Sequence, residues 1–216
     1  FFKENSPGLF NGYSIMQSEG WDLDVLQRGC QVSPEELMIL AIMDGRCELA
    51  QKLLENGVDP NAEGNMGNKA IHYAVMYNNT KLVDSLIAEG ADLEAQNDEG
   101  LTALNTAIRN DLVDLATILI ATGKAINIQD KRGYAPLHLV VGRSFSDTGL
   151  AQKLIEKGAD VNIKTKVGLS PLSYAVRADA VDMVELLVDN KAQPCAVFFD
   201  DSENTMLHKV LLHGYN

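Results

Sequence analysis

Residues 130–162 read DKRGYAPLHLVVGRSFSDTGLAQKLIEKGADVN, and every part of that stretch has a local physical role. Pro136 suits the first turn of a helix, where its ring presets φ and its missing N–H is an orphan position anyway. Leu137, Leu139 and Val140 give that short helix an apolar face, and Leu150, Leu154 and Ile155 give a second helix another. Gly158 ends the second helix by accepting a left-handed conformation. Asp160 and Asn162 lead into a tight hairpin, because short polar side chains bond their own backbone in turns. Two short helices and a hairpin cannot bury their apolar faces alone, so such a unit requires neighbours.

The neighbours are present in phase. The Leu137 position recurs as Met38, Ile71, Leu104, Leu172 and Leu207, at intervals of 33, 33, 33, 35 and 35 residues. The small residue three further on is Ala41, Ala74, Ala107, Val140, Ala175 and Val210. The helix-ending glycine recurs as Gly57, Gly90, Gly123 and Gly158, with Lys191 in the fifth slot. This period, with Ala-Pro136-Leu-His138 and Gly158-Ala-Asp-Val-Asn162 as its motifs, resembles the ankyrin repeat family over roughly residues 31–216. The first copy, Glu36-Leu-Met-Ile39, departs most from the pattern.

The resemblance implies an all-α fold, an ankyrin-repeat solenoid of right-handed, stacked helix–turn–helix units with projecting β-hairpin loops. Repeats fall at 31–63, 64–96, 97–129, 130–162 and 163–194, with a partial unit at 195–216. In repeat one, Glu36 to Met43 and Cys47 to Glu55 are the expected helices, and Cys47 reads as a small buried hydrophobe. The partial unit has a hairpin and a first helix but no second helix, so the polypeptide is expected to continue. Residues 1–30 hold five of the chain's 13 aromatics and read as a capping segment over the first repeat. Trp21 to Gly29 has the pattern of a short helix. Two extra residues in repeat four make Gly142 to Gly149 a loop, with Phe145 either in contact with solvent or tucked back.

Composition narrows the chemistry. No apolar run approaches the ~20 residues a membrane helix requires, so membrane insertion is not expected. Cys30, Cys47 and Cys195 are odd in number and widely spaced, which disfavours a disulfide framework and fits a reducing, intracellular setting, cytoplasmic or nuclear. His72, His138 and His208 occupy one slot in different repeats, where the resemblance implies that the imidazole ties neighbouring loops by hydrogen bonds. They do not converge as a zinc site requires. Cys195 with His208 lacks an orienting group and an oxyanion site, and Asp200 with Asp201 reads as a solvated loop. No phosphate-cradling glycine motif is present. No cofactor and no enzymatic activity are expected in this segment.

Charge is the informative feature. The chain carries 18 Lys and Arg against 30 Asp and Glu, a net of −12. Residues 1–108 hold six basic and 17 acidic groups, whereas 109–216 hold 12 and 13. Nucleic acid is disfavoured as a general ligand, because phosphate contacts need a basic surface.

Two functions from different classes follow. One is a non-catalytic protein–protein recognition module, a monomeric array within a larger chain. The other is a targeting or regulatory part of a larger enzyme or secreted microbial effector. The resemblance implies that hairpin tips and exposed first-helix positions form the concave binding face. Mapped here, Glu63, Glu94, Asp98 and Glu99 lie at or beside the early tips, and Lys131, Arg132, Lys164 and Lys166 at the later ones. First-helix slots carry Met76, Tyr77, Arg109, Arg143 and Arg177, with Leu101, Tyr134 and Leu169 alternating on the hairpins. Such a groove is acidic at one end and basic at the other, with Tyr77 and Tyr134 as anchors. It suits an extended or helical segment of opposite polarity.

Overall fold

The computed structural model describes residues 32–142 and 148–193. The capping segment, the Trp21–Gly29 helix, Arg143 and Phe145 in the insert, and the partial sixth unit lie outside the described residues. The described chain is all-helical, with ten α-helices, and divides into two compact units at Asp92 and Leu93.

The first unit contains α1 (Pro34–Met43), α2 (Cys47–Glu55), α3 (Ala70–Met76) and α4 (Thr80–Ala88). Helix α1 starts earlier than its repeat pattern indicates, and the cause is local. The Ser33 hydroxyl accepts the Glu36 N–H at 3.2 Å, and the Glu36 carboxylate accepts the Ser33 N–H at 3.1 Å. With Pro34 in the first turn, this reciprocal cap starts the helix two residues before the expected Glu36. Helix α1 packs on α3, and α2 packs on α4. Met38, Ile42, Leu53, Ile71 and Leu86 are the largest fully buried side chains of this unit. Truncating any of these to alanine is worth roughly 2–5 kcal/mol. Cys47 departs from expectation: it is half-buried, because it occupies the first position of α2, and its thiol donates to the Gly45 carbonyl at 3.4 Å.

The second unit contains α5 (Ala103–Arg109), α6 (Val113–Ala121), α7 (Pro136–Val141), α8 (Thr148–Glu156), α9 (Pro171–Arg177) and α10 (Val181–Asp189). First helices pack in the series α5, α7, α9, and second helices in the series α6, α8, α10. Leu104, Ile108, Leu115, Leu119, Ile120, Leu137 and Leu154 are fully buried between them. Ala41, Ala74, Ala107 and Ala175 are likewise buried, as the small-residue slot requires where helices approach closely.

The expected β-hairpins are present only as turns. Among the described residues no strand forms, and the one isolated bridge pairs Glu63 with Lys69. The tips are too short for a ladder: in the Asp130 turn two backbone bonds close the tip, Asp130 N–H to the Tyr134 carbonyl at 3.0 Å and Gly133 N–H to the Asp130 carbonyl at 2.9 Å.

Candidate recognition surface

Three turns of identical build carry the tips of the second unit. In each, a short polar residue opens the turn and a glycine closes it: Asn97 with Gly100, Asp130 with Gly133, Thr165 with Gly168. The Asp130 carboxylate accepts the Arg132 and Tyr134 N–H groups at 2.9 and 2.8 Å. The Asn97 side-chain oxygen accepts those of Glu99 and Leu101, both at 3.0 Å. These bonds use backbone N–H groups and not the side chains between the first and last residue, which frees those side chains to carry charge.

Adjacent turns are joined by their backbones. The Lys131 N–H donates to the Glu99 carbonyl at 3.1 Å, and the Lys166 N–H donates to the Arg132 carbonyl at 3.3 Å. So close an approach leaves no room for a side chain on the closing glycine. A Cβ on Gly100 would lie 2.7 Å from the Lys131 nitrogen, and one on Gly133 would lie 2.5 Å from the Lys166 nitrogen. Both glycines also have φ near +80°, at +77° and +87°, where other residues are strained.

Glutamines reinforce the join. The Gln96 amide donates to the Gly100 carbonyl at 2.6 Å and to the Gln129 carbonyl at 2.9 Å. The Gln129 amide repeats the pattern one repeat on, donating to Gly133 and to the Lys164 carbonyl, the latter at 2.8 Å. The exposed Asn127 side chain also bridges repeats, to Gly158 at 2.9 Å and Asp160 at 2.8 Å. Asn162 does the same towards Gln193 at 2.7 Å and Lys191 at 3.3 Å. Sequence reasoning recorded the Asn162 turn but missed these glutamines; their recurrence at a 33-residue interval was the available signal.

Beneath the second and third of these turns sits an aromatic cluster. Tyr134 meets Tyr174 with ring centroids 5.7 Å apart, and His138 stands edge-on to both, at 6.0 and 5.9 Å. The Tyr174 hydroxyl donates to the Tyr134 hydroxyl at 2.9 Å. His138 Nδ1 accepts the Ala135 N–H at 3.2 Å, which leaves the proton on Nε2, 3.1 Å from the Leu169 carbonyl. One imidazole thus ties the start of its own helix to the following turn. In the first unit His72 Nδ1 likewise accepts the Lys69 N–H, at 3.1 Å. Burial depresses the His138 pKa, opposed by the backbone carbonyls of Leu169 and Ile163. Burial also pushes the Tyr174 pKa up to about 12, helped by Tyr134 and opposed by the Arg177 charge. No three His, Cys, Asp or Glu side chains converge as a metal set among the described residues.

Asp98, Glu99, Lys131, Arg132, Lys164 and Lys166 are all exposed on or beside the three turns. Arg109 and Arg177 are exposed at the ends of α5 and α9. Arg109 is paired, its guanidinium 2.9 Å from the Glu99 carboxylate. Tyr134 and Leu169 are half-buried. Leu101, expected among the outward hairpin positions, is buried, because the turn closed by Gly100 directs it into the core. Val167, which sequence reasoning passed over, is 73% exposed at the third turn. Met76 and Tyr77 belong to the first unit, where they are 41% and 50% exposed at the end of α3.

In-phase helix pairs, glycine-closed tips joined through their backbones and a buried histidine at the start of a first helix define a stacked helix–turn–helix repeat protein. A family model of ankyrin repeats matches the chain over residues 37–130, 114–198 and 137–216. The chain belongs to the ankyrin repeat family. Comparison with curated proteins finds no match. Ankyrin repeats are generally protein–protein interaction modules and are typically non-catalytic. No helix among the described residues is long and apolar enough to cross a membrane.

Proposed function

We propose that the second unit holds a segment of another protein along its row of turns, from Asp98 through Lys131 and Arg132 to Lys164 and Lys166. The observation that carries this reading is the backbone join between turns, Lys131 to Glu99 and Lys166 to Arg132. It fixes the spacing of exposed charges before any partner arrives, and preorganised groups lose less entropy on binding. Tyr134, supported by His138 and Tyr174, supplies an aromatic body whose position is already set, and such anchors tend to carry binding energy. The widely spaced cysteines favour an intracellular partner.

The test is affinity capture with the whole chain beside a variant carrying Lys131→Glu, Arg132→Glu, Lys164→Glu and Lys166→Glu. Proteins retained by the parent and lost from the variant, with an unchanged circular dichroism spectrum, support the reading. An identical retained set for both proteins would overturn it.

A further inference from the structure

The row of turns is not electrically symmetric, and the ion pairing shows why. At the acidic turn, Glu99 is neutralised by Arg109 at 2.9 Å, leaving Asp98 as the exposed carboxylate of the turn itself. At the two basic turns, Lys131, Arg132, Lys164 and Lys166 are exposed and have no ion-pair partner among the described residues. The one carboxylate built into these turns, Asp130, points its oxygen at backbone N–H groups of its own turn. Beside these cations, Val167 exposes an aliphatic side chain.

We infer that the segment bound on these turns is rich in Asp and Glu at the basic end and carries an aliphatic residue for Val167. The inference rests on the recognition reading above and names the chemistry of its partner. Packed helices lie about 8–10 Å apart, so the two basic turns are about one such step apart. A polyproline II chain advances about 3.1 Å per residue and completes a turn in three, so carboxylates three residues apart share a face and meet both turns. The acidic turn one step further on admits a neutral or basic residue. A long phosphate polymer is a poorer match, because a chain of net charge −12 repels an extended polyanion beyond the reach of four cations.

The experiment titrates the whole chain into fluorescein-labelled probes and reads anisotropy. The probes are an extended peptide with Glu at every third position and interspersed Val, its Lys counterpart, and a single-stranded oligonucleotide. The Glu peptide is expected to bind, to weaken as salt is raised, and to lose about tenfold in affinity with Lys131→Glu plus Arg132→Glu or with Lys164→Glu plus Lys166→Glu. The exposed Lys81→Glu control in the first unit should leave it unchanged. No binding of the Glu peptide, or binding untouched by either pair, would overturn the inference, as would an oligonucleotide that binds equally well. If the Lys peptide binds instead and its affinity responds to the same variants, the acidic partner is wrong while the row of turns stands. If capture of protein partners is also indifferent to these variants, the recognition reading itself falls.

Discussion

Tyr174 gives its hydroxyl proton to Tyr134 at 2.9 Å, although 40 residues separate them in the chain. Burial and this bond together hold Tyr174 neutral, with its pKa raised from 10.0 to about 12. The folded state therefore keeps a proton that the unfolded chain releases first. The contribution to stability is whole below pH 10.0 and is lost as pH rises towards about 12. Tyr174→Phe should cost roughly 0.5–1.5 kcal/mol at neutral pH. Urea unfolding should show the gap between parent and variant narrowing near about pH 11. A gap that does not change with pH would count against the bond.

His138 shows the opposite sign. Its folded pKa lies below the ordinary 6.5, so its contribution is present above that value and fades as pH falls through the folded one. NMR titration should give His138 a midpoint below 6.5 and a neutral tautomer protonated on Nε2. A midpoint at or above the ordinary value would show that the imidazole is not enclosed by Tyr134 and Tyr174.

Two glycines with the same sign of φ should respond differently to alanine. Gly158 has φ of +90° but open space around a would-be Cβ, so Gly158→Ala should cost only the left-handed strain, about 1 kcal/mol. Gly133 adds a collision with the Lys166 backbone, so Gly133→Ala should cost at least about 3 kcal/mol. Equal losses in chemical denaturation would mean that the turns are not joined as described.

Lys191 stands where the other repeats place glycine, at φ of +67°. Lys191→Gly should stabilise the second unit by about 1 kcal/mol, read as a higher denaturant midpoint. An unchanged or lower midpoint would remove left-handed strain as the reason.

Much of the architecture was legible because it is written in periodic small and apolar residues. Ala107 and Leu104 recur at a fixed interval, and burial follows directly from that pattern. Positions between the repeats were less legible. Leu101 looked like an outward hairpin residue until the turn closed by Gly100 sent it inward, a direction set by backbone geometry. Ser33 extended α1 through a cap that repeat alignment ignores. Asn105 fills the slot held by His72 and His138, yet its side-chain oxygen is buried without a hydrogen-bond partner. The slot was readable; the consequence of a shorter side chain in it was not. The charge row was visible, but its imbalance depends on Arg109 reaching back ten residues to Glu99.

The hydrogen bonds joining the turns, Lys131 to Glu99 and Lys166 to Arg132, belong to the coupling between neighbouring repeats rather than to any repeat's own stability. In a linear array, that coupling decides whether one unit frays while the next stays folded. A ligand lying across two turns adds to the same coupling, by RT ln(1 + [L]/Kd). Its thermal shift should thus grow with the number of turns it spans. A segment that reaches only one turn would tighten nothing beyond its own repeat.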